Sequence, residues 1–439
     1  MNWYIAGKSG VKQLMNYKRI LSVILIIALS VSLLTFAAAS SPGFSNFTYS
    51  NNYRPGLFSD VTGSEWFAPF VQDAYNFGFI SGKSAGIFDP GGILTLGEAV
   101  TLAARLSSIY HTGQADFPVS EPYYMAYADY ALQNGIISSH PDYSAAATRA
   151  QFAEMSYNAL PPDAFPAIND IPDYGICDVM PDTDSGEAIY ALYRAGVLSG
   201  SDRFGTFFPD SNITRAEVSA LMIRLADPGF RVKTVLPTEL PAEVIFARNA
   251  DAVFMIETFN KNGKSIRTGT AFFISESGLA VTNHHVLDDA ASATITLYNG
   301  ETYPVRGVHA VSMALNLVVL SIDSDKGGWS FVSLADSDLI EEGNLVYTIG
   351  SPWELINTMS EGIISSKGRD VSGEWLIQFT APISFGSGGS PVFNSLGQVI
   401  GVASSSFSYG QNLNLAVPVN HIKSLEIGEF VTLESLLQY

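Results

Sequence analysis

Residues 386–391 read Gly-Ser-Gly-Gly-Ser-Pro, and this glycine-rich turn decides how the C-terminal half of the chain is interpreted. Two shorter stretches precede it, Thr-Asn-His-His-Val at residues 282–286 and Asn-Leu-Val-Val-Leu at residues 316–320. Together they supply a histidine, an amide side chain and a turn whose backbone N–H groups can bind an anion. With a nucleophile added, these are the parts of an acyl-transfer site.

The region around these stretches has an all-β sequence pattern. Short apolar segments bounded by turn residues predict strands at residues 253–258, 270–275 and 279–282, with further strands around residues 343–350 and 397–402. By itself this pattern predicts a β-sandwich or a β-barrel.

Several anchors in the same order resemble the trypsin-like serine proteases of the HtrA type. Residues 269–272 (Gly-Thr-Ala-Phe) resemble the strand before the histidine turn of that family. Residues 347–352 and 361–365 resemble its middle part, and residues 414–419 (Asn-Leu-Ala-Val-Pro-Val) resemble its last substrate-lining strand. The resemblance implies an all-β chymotrypsin-like double β-barrel over residues 243–430.

The catalytic residues of that family carry over only in part. An ungapped register places His285 at the catalytic histidine, Asn316 at the orienting aspartate and Gly388 at the nucleophilic serine, with Gly386 and Gly388 as oxyanion donors. An asparagine cannot stabilise an imidazolium and can hold the wrong tautomer. A glycine has no hydroxyl with which to form an acyl-enzyme. We therefore expect a pseudoprotease, catalytically dead or severely impaired, that binds a peptide or protein.

A second alignment register predicts an active enzyme instead. It makes Ser387 the nucleophile, but it needs an insertion at Ser390 and places Phe385 where the motif has its first glycine. In that case the domain is a serine endopeptidase that uses Ser387 and His285. The two registers differ in a measurable way, because an active Ser387 requires its Oγ within about 3.2 Å of His285 Nε2.

The N-terminal half contains three predicted repeats, at residues 58–111, 118–160 and 175–227, of which the second is eroded. In each repeat a threonine is followed three residues later by Glu or Gln, the pattern of a capping box at a helix start. These pairs are Thr95/Glu98, Thr148/Gln151 and Thr214/Glu217. The first repeat also predicts a helix from about Ser64 that ends at Gly78.

The repeats resemble S-layer homology (SLH) repeats. The resemblance implies an all-α three-repeat bundle that binds secondary cell-wall polysaccharide. The residues that it carries over to polymer binding are Asp60, Trp66, Arg149, Asp178 and Arg215. A guanidinium binds a carboxylate with two parallel hydrogen bonds, which suits an acidic sugar such as a pyruvylated one. The first repeat has Leu96 in place of the arginine.

The N-terminus predicts export. Basic residues precede an apolar run over residues 20–36, and Ala37-Ala38-Ala39 provides a cleavage pattern, which predicts a signal peptide over residues 1–39. Membrane contact is expected only if this segment stays uncleaved. A proline-containing linker is predicted at residues 228–242. The expected location is extracellular, in the cell wall or S-layer. A further interpretation of the function is a purely structural protein of the wall.

The amino-acid composition limits which binding partners are expected. The 439 residues carry a net charge of −19, which argues against nucleic acid because phosphate binding needs a basic surface. Cys177 is the only cysteine, so it can form no disulfide within the chain and we expect a small buried hydrophobic residue. No metal cluster is visible in the sequence, and no metal or cofactor is expected.

Overall fold

The computed structural model describes residues 41–324, 327–371, 373–406 and 412–436. The predicted signal peptide lies outside the described residues. Within the described part, no helix is both long and apolar enough to span a membrane. The chain divides into two compact units. The first contains the described residues up to Ala146 with Asn158–Leu160 and Thr214–Phe230; the second contains Ala147–Tyr157, Pro161–Ile213 and the described residues from Arg231 onward.

Helices provide most of the regular structure before residue 230. They are α1 (Ala68–Asn76), α2 (Leu96–Thr112), α3 (Met125–Gln133), α4 (Arg149–Asn158), α5 (Gly186–Arg194) and α6 (Arg215–Ala226). Helix α1 begins later than the predicted Ser64, because the Glu65 carboxylate accepts the N–H groups of Thr62 and Gly63 and holds them in a turn. Gly78, with a φ of 73°, follows the end of α1 as predicted.

The three predicted capping boxes are confirmed. Thr95 and Thr214 each accept the N–H group three residues on, and Glu98 and Glu217 accept the threonine N–H groups in return. At the start of α4 the N–H group of Thr148 donates to Gln151 Oε1, and the N–H group of Gln151 donates to Thr148 Oγ1. Each box satisfies backbone donors that a helix start leaves without partners.

The first two residues of each capped helix also donate their backbone N–H groups, and their acceptors lie in a loop of another repeat. The N–H groups at the first two positions of α2, α4 and α6 donate to carbonyl groups two residues apart in a loop. The acceptors are Ala145 and Tyr143 for α2, Ser211 and Pro209 for α4, and Gly92 and Pro90 for α6. The same pairing thus occurs three times, each time within one compact unit. The arrangement of the repeats as one bundle stays a prediction.

Strands dominate the chain after α7 (Ala242–Asn249). They are β1 (Val253–Phe259), β2 (Ser265–Phe273), β3 (Leu279–Thr282), β4 (Ser292–Thr296), β5 (Thr302–Ser312), β6 (Leu317–Ile322), β7 (Leu345–Gly350), β8 (Thr358–Val371), β9 (Glu374–Phe379), β10 (Pro391–Phe393), β11 (Val399–Ser406) and β12 (Asn414–Pro418). Two short helices follow, α8 (Asn420–Lys423) and α9 (Leu433–Leu436). Strand β2 starts earlier than predicted because Asn260 and Gly263 form a tight turn that pairs it with β1.

The strands form two closed barrels, which confirms the predicted double β-barrel. Their orders are β1-β2-β3-β6-β5-β4 and β10-β11-β12-β9-β8-β7. Each barrel has an apolar interior, and a third apolar cluster contains residues of both barrels. Successive side chains of a strand alternate between faces, so Phe254 belongs to the interior of the first barrel and Val253 to the shared cluster. This packing holds the loops of the two barrels in fixed positions.

Part of the third predicted repeat belongs to the same compact unit as the barrels. Cys177 is 7% exposed and lies in the shared apolar cluster with Ile245 of α7, which confirms the expectation of a small buried residue. The buried Gln398 amide donates to the carbonyl groups of Tyr174 and Ile176 at 3.2 Å. The boundaries of the third repeat and of the linker at residues 228–242 stay predictions.

Candidate active site

His285 lies in a short helical turn that follows β3. The turn spans His284–Val286, and the N–H group of Val286 donates to the carbonyl group of Asn283. Asn283 is fully buried, and its side chain donates to the carbonyl group of Asn316 at 3.1 Å. The histidine turn is therefore fixed to the residue that precedes β6.

The Asn316 amide is oriented by three contacts. Its Oδ1 accepts the backbone N–H of His285 at 3.0 Å, and its Nδ2 donates to Ser404 Oγ at 2.9 Å. The same Nδ2 lies 2.9 Å from Nδ1 of His285, closer than Oδ1, which lies 3.2 Å away. Because Oδ1 already accepts the His285 N–H and Nδ2 is the nearer atom, we assign Nδ1 as the acceptor and the imidazole proton to Nε2.

The protonation of His285 follows from its surroundings. Burial is the largest influence on His285 and leaves its pKa below the ordinary value. The ring is therefore neutral at pH 7, with its one proton on Nε2. In this state Nε2 can donate a hydrogen bond, but it cannot accept a proton from a nucleophile.

Gly388 is the residue of the glycine-rich turn that faces His285. A Cβ placed on Gly388 would lie 2.9 Å from Nε2 and 3.2 Å from Cε1 of His285. Its carbonyl group accepts the N–H group of Thr270 at 2.8 Å, which holds the turn against β2. The left-handed φ angles of the turn belong to its neighbours, 91° at Gly386 and 87° at Gly389. The φ angle at position 388 therefore does not require glycine, whereas the His285 ring lies where a side chain would begin.

Ser387 has a different environment. Its side chain is turned into the loop, where Oγ accepts the N–H group of Ser384 at 3.3 Å. The residue is 4% exposed, and its own N–H group donates to the carbonyl group of Ser384 at 2.9 Å. Among the hydrogen bonds of the described residues, none joins Ser387 to His285.

The N–H groups of Gly386 and Gly388, which the sequence predicts as oxyanion donors, donate no hydrogen bond to any other described residue. The turn that presents them is fixed from behind. Thr270 Oγ1 donates to the carbonyl group of Gly386 at 2.9 Å and accepts the N–H group of Ser351 at 2.9 Å. These contacts leave two backbone donors available to a ligand.

His285, Gly386 and Gly388 line one open cleft of about 530 Å³. The remaining lining residues combine apolar side chains with one cation. They are Ile266, Arg267, Thr268, Val286, Ile383, Ser384, Phe385 and Ser404. The lining within the described residues contains no acidic side chain, although the chain as a whole carries a net charge of −19.

An exposed aromatic pair borders the cleft. Phe385 is 64% exposed and Trp353 is 70% exposed, with ring centroids 5.6 Å apart. The N–H group of Trp353 donates to the carbonyl group of Phe385 at 2.9 Å. Sequence reasoning treated Phe385 only as a misfit in a motif and missed Trp353. The one available signal was a tryptophan directly after the Gly-Ser-Pro anchor at residues 350–352.

In the first repeat the structure brings Asp60 and Arg215 to one loop. The Asp60 carboxylate accepts the N–H groups of Phe88 and Asp89 at 2.8 and 2.7 Å. Arg215 donates to the carbonyl groups of Phe88 and Ser81 at 2.8 and 2.6 Å, and its guanidinium lies 4.8 Å from the centre of the Phe88 ring. Both predicted polymer-binding residues therefore bond to the loop.

The third repeat has the same arrangement. The Asp178 carboxylate accepts the N–H groups of Phe207 and Phe208 at 3.0 and 2.6 Å. Arg149 donates to the carbonyl group of Phe207 at 2.7 Å and lies over its ring. Burial raises the pKa of the Asp178 carboxyl group even though the loop N–H groups act to lower it.

Trp66 differs from the other four predicted polymer-binding residues because it is exposed. Its side chain is 61% accessible and makes ring contacts with Phe67 and Phe70 at 5.6 and 6.5 Å. An exposed aromatic face of this kind can pack on a sugar ring. Within the described residues, no group of three His, Cys, Asp or Glu side chains is positioned to hold a metal ion.

Comparisons with known proteins agree with both halves of the chain. Residues 269–402 match the trypsin-like peptidase domain family, and residues 57–100 and 180–219 match the S-layer homology domain. The chain therefore joins S-layer homology repeats to a trypsin-like peptidase domain. The S-layer homology match indicates a location at the bacterial cell surface.

Curated proteins similar to part of this chain include probable periplasmic serine endoproteases described as DegP-like. A probable periplasmic serine endoprotease DegP-like of Rhizobium meliloti is 36% identical over 155 residues, which are 34% of this chain and 30% of that protein. One of Chlamydia trachomatis is 39% identical over 138 residues, 30% of this chain and 27% of that protein. The chain thus spans less than a third of the length of these two relatives.

Among solved structures, an HtrA-type protease AlgW with tripeptide is 28% identical. The matched region is 41% of this chain and 61% of the AlgW chain, and the TM-score is 0.38.

Proposed function

We propose that this protein is a cell-wall-anchored pseudoprotease whose barrel domain binds a peptide or protein without cleaving it. The observation that carries the proposal is the position of Gly388, where a Cβ would lie 2.9 Å from His285 Nε2 and where no hydroxyl group is present. Acyl transfer begins with attack by such a hydroxyl group, after a base has removed its proton.

The environment of His285 supports the same proposal. Asn316 Nδ2 donates to Nδ1, so the proton resides on Nε2 and the ring cannot act as a general base. Ser387, the alternative nucleophile, is 4% exposed and bonds to Ser384. The open cleft beside His285 favours ligand binding over a purely structural spacer, because a spacer has no need of unpaired donors in a cleft.

A labelling experiment tests the loss of catalysis. The full-length protein is exposed to a fluorophosphonate probe, which reacts with activated serines, and is incubated with casein. We expect no labelling and no hydrolysis, whereas trypsin in the same assay gives both. Stoichiometric labelling that disappears in the Ser387→Ala variant would instead establish the active endopeptidase of the alternative register.

The wall-binding part of the proposal rests on the repeats. Arg149 and Arg215 each bond through Nε to a loop carbonyl group, so their removal would disturb folding as well as any polymer contact. Trp66 offers a cleaner test because it is 61% exposed. Trp375, on β9, is 65% exposed and provides a matched control.

We expect the full-length protein to sediment with purified cell-wall sacculi. The Trp66→Ala variant should sediment less, because stacking on a sugar ring is lost, and the Trp375→Ala variant should sediment as the wild type does. Wild-type protein that stays in the supernatant would contradict the anchoring proposal. Equal loss in both variants would indicate a general surface effect and not a site in the first repeat.

A further inference from the structure

Three hydrogen-bond donors line the cleft beside His285, where Gly388 has no side chain. One acceptor, Asn283 Oδ1, is also near this position, 3.5 Å from where a Cβ on Gly388 would lie. The N–H groups of Gly386 and Gly388 have no acceptor among the described residues. Nε2 of His285 is a third donor, because Asn316 fixes the proton on that nitrogen. All three residues line the same cleft.

Glycine at position 388 makes this third donor accessible. A Cβ at that position would lie 2.9 Å from Nε2, which is closer than a carbon atom can approach without displacing the ring. With hydrogen alone in that place, a ligand atom can approach Nε2. The loss of the serine thus creates a binding position as well as removing a nucleophile.

The charges around the cleft favour an anion. Arg267 lines the cleft, and its ion pair with Asp289 is 3.8 Å long, with the Asp289 side chain 85% exposed. Such an exposed pair contributes little and leaves the cation available to a ligand. Arg267 also donates to the carbonyl group of Asp288. With no acidic side chain in the described lining, a carboxylate meets one positive charge and three N–H donors.

The walls of the cleft favour a peptide over a small inorganic anion. Ile266, Val286, Ile383 and Phe385 provide apolar surface beside the donors. Arg267 and Thr268 of β2 pair with β1 on one side, while β3 pairs with β2 only at Phe272 and Phe273. Among the described residues, no strand pairs with the other edge of β2 at residues 267–268, where an extended chain could be added.

We propose that this cleft binds the free C-terminus of a peptide, with the terminal carboxylate held by the N–H groups of Gly386 and Gly388 and by Nε2–H of His285. This inference rests on the proposed function and specifies its ligand class. The last side chain of the peptide packs against the apolar wall, and Arg267 adds electrostatic attraction. The protein then retains peptide ends, including those that hydrolysis by other enzymes produces.

The test compares two peptide libraries on the immobilised full-length protein. Both contain pentapeptides randomised at the last three positions, one synthesised as free acids and the other as C-terminal carboxamides. We expect the acids to be retained about tenfold more than the carboxamides, since a hydrogen bond to a charged group contributes more than one to a neutral group. Retained peptides are quantified by mass spectrometry.

Two variants locate the site. Gly388→Ala should abolish the preference for free acids, because its Cβ displaces His285. Gly327→Ala is the matched control, since a Cβ there meets nothing within 4 Å, and it should retain the preference. A preference that survives in Gly388→Ala would place carboxylate binding elsewhere and overturn the inference.

The Asn316→Asp variant provides a second readout. A carboxylate at position 316 accepts a hydrogen bond from Nδ1–H, so the lone pair is on Nε2, where it repels the peptide carboxylate. Acid retention should therefore fall at pH 8 and recover at lower pH as the imidazole becomes charged, while the wild type changes little between these values. No pH dependence in Asn316→Asp would contradict the assigned role of Nε2.

The outcomes separate the inference from the proposed function. Equal retention of acids and carboxamides by the wild type would leave peptide binding intact but overturn carboxylate recognition. Retention of neither library would contradict peptide binding itself.

Discussion

Asn316 makes one contact that an aspartate could also make and two that it could not. The backbone N–H of His285 would donate equally well to a carboxylate oxygen. The bonds from Nδ2 to Ser404 Oγ and to His285 Nδ1 need an amide donor. An aspartate would reverse both, so that Ser404 and Nδ1 donate and the Nε2 lone pair faces Gly388. A single residue thus sets the direction of a chain of hydrogen bonds.

This reversal leads to a prediction of restored activity. We expect the Gly388→Ser, Asn316→Asp double variant to react with a fluorophosphonate probe. The φ angle at position 388 does not exclude serine, although its Cβ, 2.9 Å from Nε2, requires the His285 ring to move. Labelling is measured by mass spectrometry at residue 388.

Each single variant should be nearly unreactive. With the serine alone, the histidine keeps the wrong tautomer, a defect of about 10⁴ in rate in serine proteases. With the aspartate alone, there is no nucleophile. The two substitutions should therefore act far from additively. A double variant that has the circular dichroism spectrum of the wild type but stays unlabelled would show that the site has changed beyond these two residues.

The sequence indicates where the candidate site lies but not the hydrogen bonds within it. The anchors on both sides of the glycine-rich turn indicated Gly388, and the structure brings that residue against His285. The tautomer of His285 depends on Ser404, which is 88 residues from Asn316 in sequence and carries no motif of its own. A hydrogen bond of that kind depends on how two barrels pack, which local sequence does not reveal.

At the scale of elements, the capped helix starts provide both local stability and contacts between repeats. At α6 the threonine cap satisfies the helix donors while Arg215 and Ala216 bond to the loop at Gly92 and Pro90. The capping boxes were predicted from sequence because they are local patterns. The loop contacts of Arg149 and Arg215 were not, because their partners lie 58 and 127 residues away.

We expect the Thr214→Ala substitution to destabilise α6 by about 1 kcal/mol, the usual value of a threonine cap. Hydrogen exchange of the α6 amides, measured by mass spectrometry, should become about fivefold faster. Thr214→Ser is the matched control, since it keeps the hydroxyl group that accepts from Glu217 N–H at 3.3 Å. Equal acceleration in both variants would assign the effect to the lost methyl group and not to the cap.

At the scale of the molecule, the second compact unit combines the barrels with the part of the third repeat around Cys177. Three connections support this grouping within the unit. Cys177 and Ile245 share one apolar cluster with barrel residues, Gln398 bonds to Tyr174 and Ile176, and Arg248 Nη1 lies 2.6 Å from Cys177 Sγ. Burial also raises the pKa of the Cys177 thiol, which makes it less reactive. The protein thus contains a single, buried reporter of this packing.

We expect the Gln398→Leu substitution to expose Cys177 by opening this part of the unit. Leucine has a similar volume, but it leaves the carbonyl groups of Tyr174 and Ile176 without their donor, at a cost of about 1–3 kcal/mol for the buried Ile176 carbonyl group. The rate at which a thiol reagent modifies Cys177 in the full-length protein should rise at least about fivefold. Gln378→Leu is the matched control, because Gln378 is partly exposed on β9 and its side chain accepts from Arg369 at the surface. If hydrogen exchange in β11 accelerates in Gln398→Leu while the Cys177 rate stays at the wild-type value, the barrels open without the third repeat. The two would then be separate cooperative structures, joined by contacts too weak to couple their unfolding.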